Sequence, residues 1–268
     1  MELTGKVAVV TGAGGEGSGR AIACRFARDG ATVIVADINE GGGSETVRRI
    51  EAAGGKAAFL RTDVGVQSEA AELIGFAERT FGGLDALVND ASGAAHHPDP
   101  LESWNETMQT ELLGTMYATR FAIQAMRRRS GGAIVNISSI SALWHGRRKI
   151  FPGYAAYDAA KAGVIRLTTG LGWLGEQENI RVNCFAPGWI ATPQVKSYWE
   201  TLNADQRKER GAPSKLLSLE QVTGAVVRLA TDESLCGRVL VWWSENPPRL
   251  IKWADRGYEE HMQAPGLD

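Results

Sequence analysis

On a helix, Tyr157 and Lys161 stand at i and i+4 and share one face, so the lysine ammonium can lie near the phenol oxygen. A free phenol has a pKa near ~10. An adjacent cation favours its ionised form, moving it toward the working range of an acid/base catalyst. Tyr154 offers no such pair, because Asp158 rather than a lysine occupies its i+4 position.

A second chemical signal lies near the start of the chain, where an apolar run, Val7 to Val10, leads directly into Thr11-Gly12-Ala13-Gly14-Gly15-Glu16-Gly17-Ser18-Gly19. Helical periodicity begins at Arg20. Glycines let a backbone turn sharply and approach a pyrophosphate, while free N–H groups at the following helix end attract its charge. Any strand-to-helix corner can use glycine to turn, so the position after the first strand is what gives the loop its meaning. Asp37 ends the second apolar run, about 20 residues beyond the last glycines, where a carboxylate accepts hydrogen bonds from an adenosine ribose. The same carboxylate repels a 2'-phosphate, and no Arg or Lys follows it in Ile38-Asn39-Glu40. The expected cofactor is therefore NAD(H) rather than NADP(H). A helix-capping role for Asp37 is the plainer alternative.

These groups need a frame. Short apolar, β-branched runs recur at Val7 to Val10, Thr32 to Ala36, Ala57 to Arg61, Ala86 to Asn89, Ala133 to Ile137, Arg181 to Phe185 and Arg238 to Trp242. Most are apolar on both parities, the pattern of strands buried on both faces in a parallel sheet. Between them lie segments of helical spacing, such as Ile22, Phe26 and Ala27 before Gly30, and Leu73, Phe76 and Ala77 before Gly82-Gly83. The expectation is an α/β, Rossmann-type doubly wound fold with about seven parallel strands and helices on both faces, its crevice at the carboxyl ends of the strands. Residues 1–268 are expected to form a single dinucleotide-binding and catalytic domain, with an irregular tail from about Ser244.

Composition narrows the partners. A formal charge of -2, from 29 basic and 31 acidic residues, gives no bulk reason to bind nucleic acid or an anionic membrane. Glycine is abundant, 32 of 268 residues against roughly 7% in an average protein, which implies tight turns and close ligand approach. Cys24, Cys184 and Cys236 lack the paired spacing of a zinc site or disulfide framework, so a reducing cytoplasm is expected. No basic leader precedes an apolar segment, and no run approaches the ~18 apolar residues of a membrane span. His96 and His97 are adjacent in a loop rather than on one helical face, and no metal site is expected.

Taken together, the Thr11 to Gly19 loop, Asp63-Val64, Asn89-Asp90-Ala91, Ser138-Ser139, Tyr157 to Lys161 and Pro187-Gly188-Trp189-Ile190-Ala191-Thr192 make the chain resemble the short-chain dehydrogenase/reductase family, from about residue 4 to about residue 243. The resemblance implies an NAD(H)-dependent oxidoreductase interconverting a ketone or aldehyde and an alcohol, on a homodimer or homotetramer. It implies that Tyr157 donates the proton in reduction and accepts it in oxidation, and that Lys161 binds the nicotinamide ribose. Ser139 would hydrogen-bond the substrate oxygen, with Ser138 the alternative. Cofactor contacts are implied for Gly12, Gly14, Gly17, Gly19, Asp63, Val64, Asn89, Ala91, Pro187, Gly188, Ile190 and Thr192. Trp144, Tyr154 and Trp189 are candidates for the substrate pocket, where aromatic walls suit a bulky or cyclic substrate. Core packing or a subunit interface is an equally good reading of any single Trp. Arg147, Arg148 and Lys149 read first as a solvated basic loop, with a seat for an anionic substrate or a coenzyme A phosphate as the alternative.

The chain also departs from the family pattern. Its glycine loop is one residue longer and carries Glu16, Ser18 replaces the common isoleucine, and the usual Asn-Asn-Ala-Gly is Asn89-Asp90-Ala91-Ser92. Ser139 and Tyr157 are 18 residues apart where about a dozen is usual. Trp242-Trp243-Ser244 stands where many members have Asp-Gly-Gly, and Glu111 falls where a helix asparagine normally completes the catalytic set. These changes leave two other classes open: a cyclase or lyase that retains NAD, and a dinucleotide-sensing binding protein. Retention of Ser139, Tyr157 and Lys161 favours the redox enzyme.

Overall fold

The computed structural model describes residues 1–93, 102–143 and 155–252. Its first half alternates strand and helix: β1 (Val7–Thr11), α1 (Ser18–Arg28), β2 (Thr32–Asp37), α2 (Glu40–Ala52), β3 (Lys56–Arg61), α3 (Gln67–Phe81) and β4 (Ala86–Asn89). A helix then runs as α4 (Trp104–Met108), a π-helical turn (Gln109–Gly114) and α5 (Thr115–Arg128). β5 (Gly132–Ile137) leads through a 3-10 turn (Ile140–Leu143), and the next described elements are α6 (Ala155–Gly170), α7 (Leu174–Glu178) and β6 (Ile180–Pro187). Then come α8 (Pro193–Glu200), α9 (Ala204–Glu209), α10 (Leu219–Thr231), β7 (Val239–Trp242) and β8 (Arg249–Leu250).

The strands form one sheet in the order β3-β2-β1-β4-β5-β6-β7-β8, parallel throughout except for β8. Burial explains the apolar runs, because β1 and β6 are buried along their whole length. Alternate residues of β1 serve the two faces: Ala8 and Val10 pack with Ile22 and Phe26 of α1 and Val226 and Leu229 of α10. Val7 and Val9 pack with Leu73 and Ile74 of α3 and Ala118 and Met126 of α5. The chain order reverses between β1 and β4, so the loops after these two strands diverge and open a crevice there.

The tail differs from expectation. Arg249 and Leu250 add an eighth strand, antiparallel to β7 through the pairs Leu240–Leu250 and Val241–Arg249. Two residues preceded by Pro247-Pro248 carry no alternating or β-branched signal, so only pairing to β7 makes them a strand. Among the described residues no helix is long and apolar enough to cross a membrane.

Candidate active site

Lys161 lies on α6 with only 4% of its side chain exposed, and its ammonium must find partners inside the protein. Nζ donates to the Ile137 carbonyl at the end of β5 (2.9 Å) and pairs with Glu111 Oε2 at 2.8 Å. It also stands 5.6 Å from the centroid of the Tyr157 ring, one helical turn back. Ser139 hydrogen-bonds Tyr157 from the end of β5, and its Oγ accepts from Ser141 N (3.1 Å). Ser138 is buried and donates its hydroxyl to the Lys161 carbonyl (2.7 Å), which ties β5 to α6. The two serines are thereby told apart, and Ser139 is the one beside the tyrosine.

Glu111 reaches this group from the π-helical turn and is completely buried. A π-turn inserts one residue into a helix and redirects its side chains, a device found frequently at functional sites. Glu111 Oε1 accepts from Ser92 Oγ (2.6 Å) and from the Gly93 N–H (3.1 Å), both just after β4. Gly114 closes the turn against Val64, where an added Cβ would come within 2.8 Å of the valine Cγ2.

Burial and charge set the protonation states here. Burial opposes the Lys161 charge, but Glu111, Tyr157 and Asp90 together hold its pKa above the ordinary lysine value. For Tyr157 the sum differs from the sequence expectation. Burial pushes the phenol up, Glu111 and Asp158 add to that, and the downward pull of Lys161 and Ser139 is outweighed.

Asp90 is pushed up to about 7 by burial, with Glu111 adding, against the Ser18 hydrogen bond and Lys161. The unfolded chain therefore ionises Asp90 at lower pH than the folded one, so its contribution to stability falls as pH rises from the ordinary carboxyl range to about 7. Asp90→Asn removes this titration. Thermal unfolding at pH 6 and pH 8 should show the variant gaining on the parent at the higher pH, and an unchanged difference would refute a shifted Asp90.

The glycine loop faces this cluster across the crevice. Gly12 adopts φ +70°, and a Cβ there would lie 2.7 Å from the Ala91 Cα, so loop and β4 segment touch backbone to backbone. Thr11 Oγ1 holds the same junction, accepting from the N–H groups of Asp90 and Ala91 at 3.1 Å each. Gly19 packs on Gly12, whose carbonyl oxygen would lie 2.3 Å from an added Cβ. Asp37 Oδ2 accepts from Gly14 N (2.7 Å) and Oδ1 from Asn39 N (2.9 Å), leaving lone pairs on both oxygens. Gly17 ends the loop as the N-cap of α1 and contributes no side-chain cap; a Cβ there would make ordinary van der Waals contact with the Thr192 methyl, at 3.7 Å.

Beyond Pro187, the last residue of β6, the chain leaves the sheet and returns at Leu217. Leu217 N donates to the Trp189 carbonyl and Ala191 N to the Leu217 carbonyl, both at 2.8 Å, and Ile190 bridges Leu217. This neck holds α8 and α9 as one excursion from the sheet. Thr192 caps α8, its Oγ1 accepting from Val195 N at 3.3 Å. Trp189 stacks on Tyr198 of α8, with ring centroids 6.1 Å apart. Gly188 N donates to the Trp242 carbonyl (2.8 Å), and the Trp243 ring lies against Gly188.

Residues 6–203 match the family model described as short chain dehydrogenase. The chain belongs to the short-chain dehydrogenase family. It is 36% identical to a cis-4-hydroxycyclohexanecarboxylate dehydrogenase of Sinomonas cyclohexanicum over 235 residues, covering 85% of this chain and 90% of that one. It is 35% identical to the 3beta-hydroxysteroid dehydrogenase 1 of Eggerthella lenta, over 87% of this chain and 89% of that one. A solved 7α-hydroxysteroid dehydrogenase, complexed with NADH and 7-oxo glycochenodeoxycholic acid, superposes with a TM-score of 0.78 at 27% identity, covering 90% and 94% of the two chains. These relatives are oxidoreductases, and they support a dehydrogenase/reductase role for this family member.

Two family positions have their side chains turned to structural use. Asn89 donates to Thr119 Oγ1 (3.0 Å) and Asn136 Oδ1 (2.8 Å), binding β4 to α5 and β5 from inside. Asp63 Oδ1 accepts from Gly65 N (2.9 Å) in its own turn, while Val64 packs under the π-turn. Trp144, Tyr154, His96, His97, Arg147, Arg148 and Lys149 lie outside the described residues.

Other parts of the family site had no reading in the sequence. Arg20, 7% exposed, donates to the carbonyls of Gly14 (2.8 Å) and Gly42 (3.1 Å) and to Thr46 Oγ1 (2.9 Å), clamping the glycine loop to α2. Ser18 and Asp90, noted only as separate departures, are one pair, with Ser18 Oγ donating to Asp90 Oδ2 at 2.8 Å. Ser92 and Glu111 likewise depart together. Two coincident departures in the same family pattern were the available signal.

Proposed function

We propose that this protein is an NAD(H)-dependent oxidoreductase that interconverts a ketone or aldehyde and an alcohol, on one dinucleotide-binding and catalytic domain. The observation that carries this reading is the Ser139–Tyr157–Lys161 cluster, gathered at the carboxyl end of β5 beside the glycine crevice. The crevice fits a dinucleotide. The first turn of α1 holds no acidic residue and has no side-chain cap, so its N–H groups are available to a pyrophosphate, and Gly12 and Gly19 leave no side chain in the way. Asp37 would hold the adenosine ribose, while Lys161, Gly188, Ile190 and Thr192 would line the nicotinamide end. A nicotinamide dinucleotide bound there supplies or accepts the hydride.

This chain's residues supply the rest. The Ser139 hydroxyl donates to the substrate oxygen, fixing it beside the phenol. Tyr157 gives its proton to that oxygen in reduction and takes it back in oxidation, and the Lys161 charge stabilises the phenolate in between. Glu111 holds Lys161 in place and charged. The Trp189–Tyr198 stack, in the segment after β6, would wall the substrate site and suit a cyclic secondary alcohol or ketone, the class named in the hydroxycyclohexanecarboxylate and hydroxysteroid relatives. Met116 and Trp173, exposed on the α5 and α7 side, fit burial in a homodimer or homotetramer.

A panel of cyclic alcohols with NAD+, and of ketones with NADH, tests the reading through the absorbance of the reduced nicotinamide. No turnover across the panel together with no dinucleotide binding would overturn it. The cofactor preference has its own test. Ile38 is 62% exposed, so an arginine there meets solvent and not core. Asp37→Ser with Ile38→Arg should shift the NADP(H)/NAD(H) affinity ratio by on the order of tenfold or more, an effect of about 1.4 kcal/mol. Equal or tighter NADP(H) binding by the parent, measured by nucleotide fluorescence, would show the ribose assignment to be wrong.

A further inference from the structure

Lys161 and Glu111 are both buried, yet their contacts do not end inside the protein. From Lys161 Nζ the path runs 2.8 Å to Glu111 Oε2, across the carboxyl group, and 2.6 Å from Oε1 to Ser92 Oγ, and Ser92 is exposed to solvent. The Gly93 N–H donates to Oε1 from a second direction at 3.1 Å and helps hold the carboxyl group on this line. We propose that Ser92 is the outer station of a proton path from Lys161 to solvent, with Glu111 as its buried carrier. This rests on the acid/base role given above to Tyr157, since that residue must recover or discard one proton per turnover.

The chemistry balances along existing contacts. In reduction, Tyr157 gives its proton to the substrate oxygen, and the phenolate takes one from Lys161, leaving a neutral amine. The Ser92 O–H bond breaks toward Glu111 Oε1 as water restores the Ser92 proton, and the protonated carboxyl group passes its proton to Lys161 Nζ. Carboxylate and ammonium are both restored, and one proton has come from solvent. Oxidation runs the same bonds in reverse and releases one. From Lys161 outward, each station exchanges protons through atoms already in hydrogen-bonding range.

Among the described residues, the groups around the carrier favour Ser92 as the exit. Lys161 and the Ile137 carbonyl lie on its inner side, Asp90 is engaged by Ser18, and Ser138 is bound to the Lys161 carbonyl. Among these stations Ser92 alone is exposed.

The test needs neither substrate nor cofactor, so its failure is distinct from failure of the oxidoreductase reading. In protein labelled with nitrogen-15 at lysine, the buried Lys161 ammonium gives a signal identified by its loss in Lys161→Met. Hydrogen exchange of that ammonium with water is then measured by NMR. Ser92→Ala should slow it by about tenfold, a fraction of what a positioned acid/base group contributes. Ser92→Thr, which returns the hydroxyl, should restore it. In turnover assays the alanine variant should also gain a dependence of kcat on a small diffusible buffer such as imidazole. Exchange in Ser92→Ala at the parent rate, or equally slowed in Ser92→Thr, overturns the proposal. A fall in activity with unaltered exchange and no buffer response assigns Ser92 to structure alone.

Discussion

Tyr157→Phe should lose roughly 10²- to 10⁴-fold in turnover while dinucleotide binding stays near the parent level. The substitution removes one oxygen and keeps the ring against which Lys161 sits, 5.6 Å from its centroid. The Lys161 contacts to Ile137 and Glu111 do not pass through the phenol, so the charged frame stays in place. What disappears is the group that gives its proton to the substrate oxygen and whose transient phenolate the Lys161 charge stabilises. Because burial and Glu111 push the phenol up, the parent should oxidise alcohols faster as pH rises through the Tyr157 titration. Phenylalanine should abolish that limb. A variant within a few-fold of the parent rate, or one with the same pH dependence, would remove Tyr157 from the mechanism.

Glu111 carries the largest expected effect on stability. Its partner Lys161 is 4% exposed, and removing one member of a buried pair typically costs about 3–5 kcal/mol because the other charge remains desolvated. In Glu111→Ala the Ile137 carbonyl still accepts from Nζ, but the anion is gone, and a melting temperature lower by about 10 °C is expected. Glu111→Asn separates electrostatics from packing. Glu111 raises the Tyr157 pKa, so asparagine lowers it, and the rise of oxidation rate should begin at lower pH than in the parent. Coincident pH profiles together with an unchanged melting temperature would place Glu111 outside both the site and the stabilising core.

Much of the frame was readable because it follows from local pattern. Runs such as Val7 to Val10 and Arg181 to Phe185 are apolar on both parities, and the strands they mark are buried on both faces. Gly82 ends α3 in a left-handed conformation, as the Gly82-Gly83 stop predicts. The glycine loop falls at the β1–α1 corner and Asp37 at the end of β2, and the two meet through the Gly14 N–H. β8 was not readable, since two residues after a proline pair become a strand only when β7 lies beside them.

The sequence by itself determined which residues have suitable chemistry and which short-range geometry they share: Tyr157 above Lys161 on one helix face, glycines after the first strand, an acid after the second. These depend on spacings of a few residues, fixed by helix and strand periods. Tertiary structure decided what spacing cannot reach. It set Ser139 beside Tyr157, turned Ser138 onto the Lys161 carbonyl, and turned the Asn89 side chain inward. It brought Ser18 to Asp90 across 72 residues and Ser92 to Glu111 across 19. It also reversed the expected direction of the Tyr157 shift, because the pull of a neighbouring cation follows from an i,i+4 spacing, whereas burial and a carboxylate from another helix follow from packing alone.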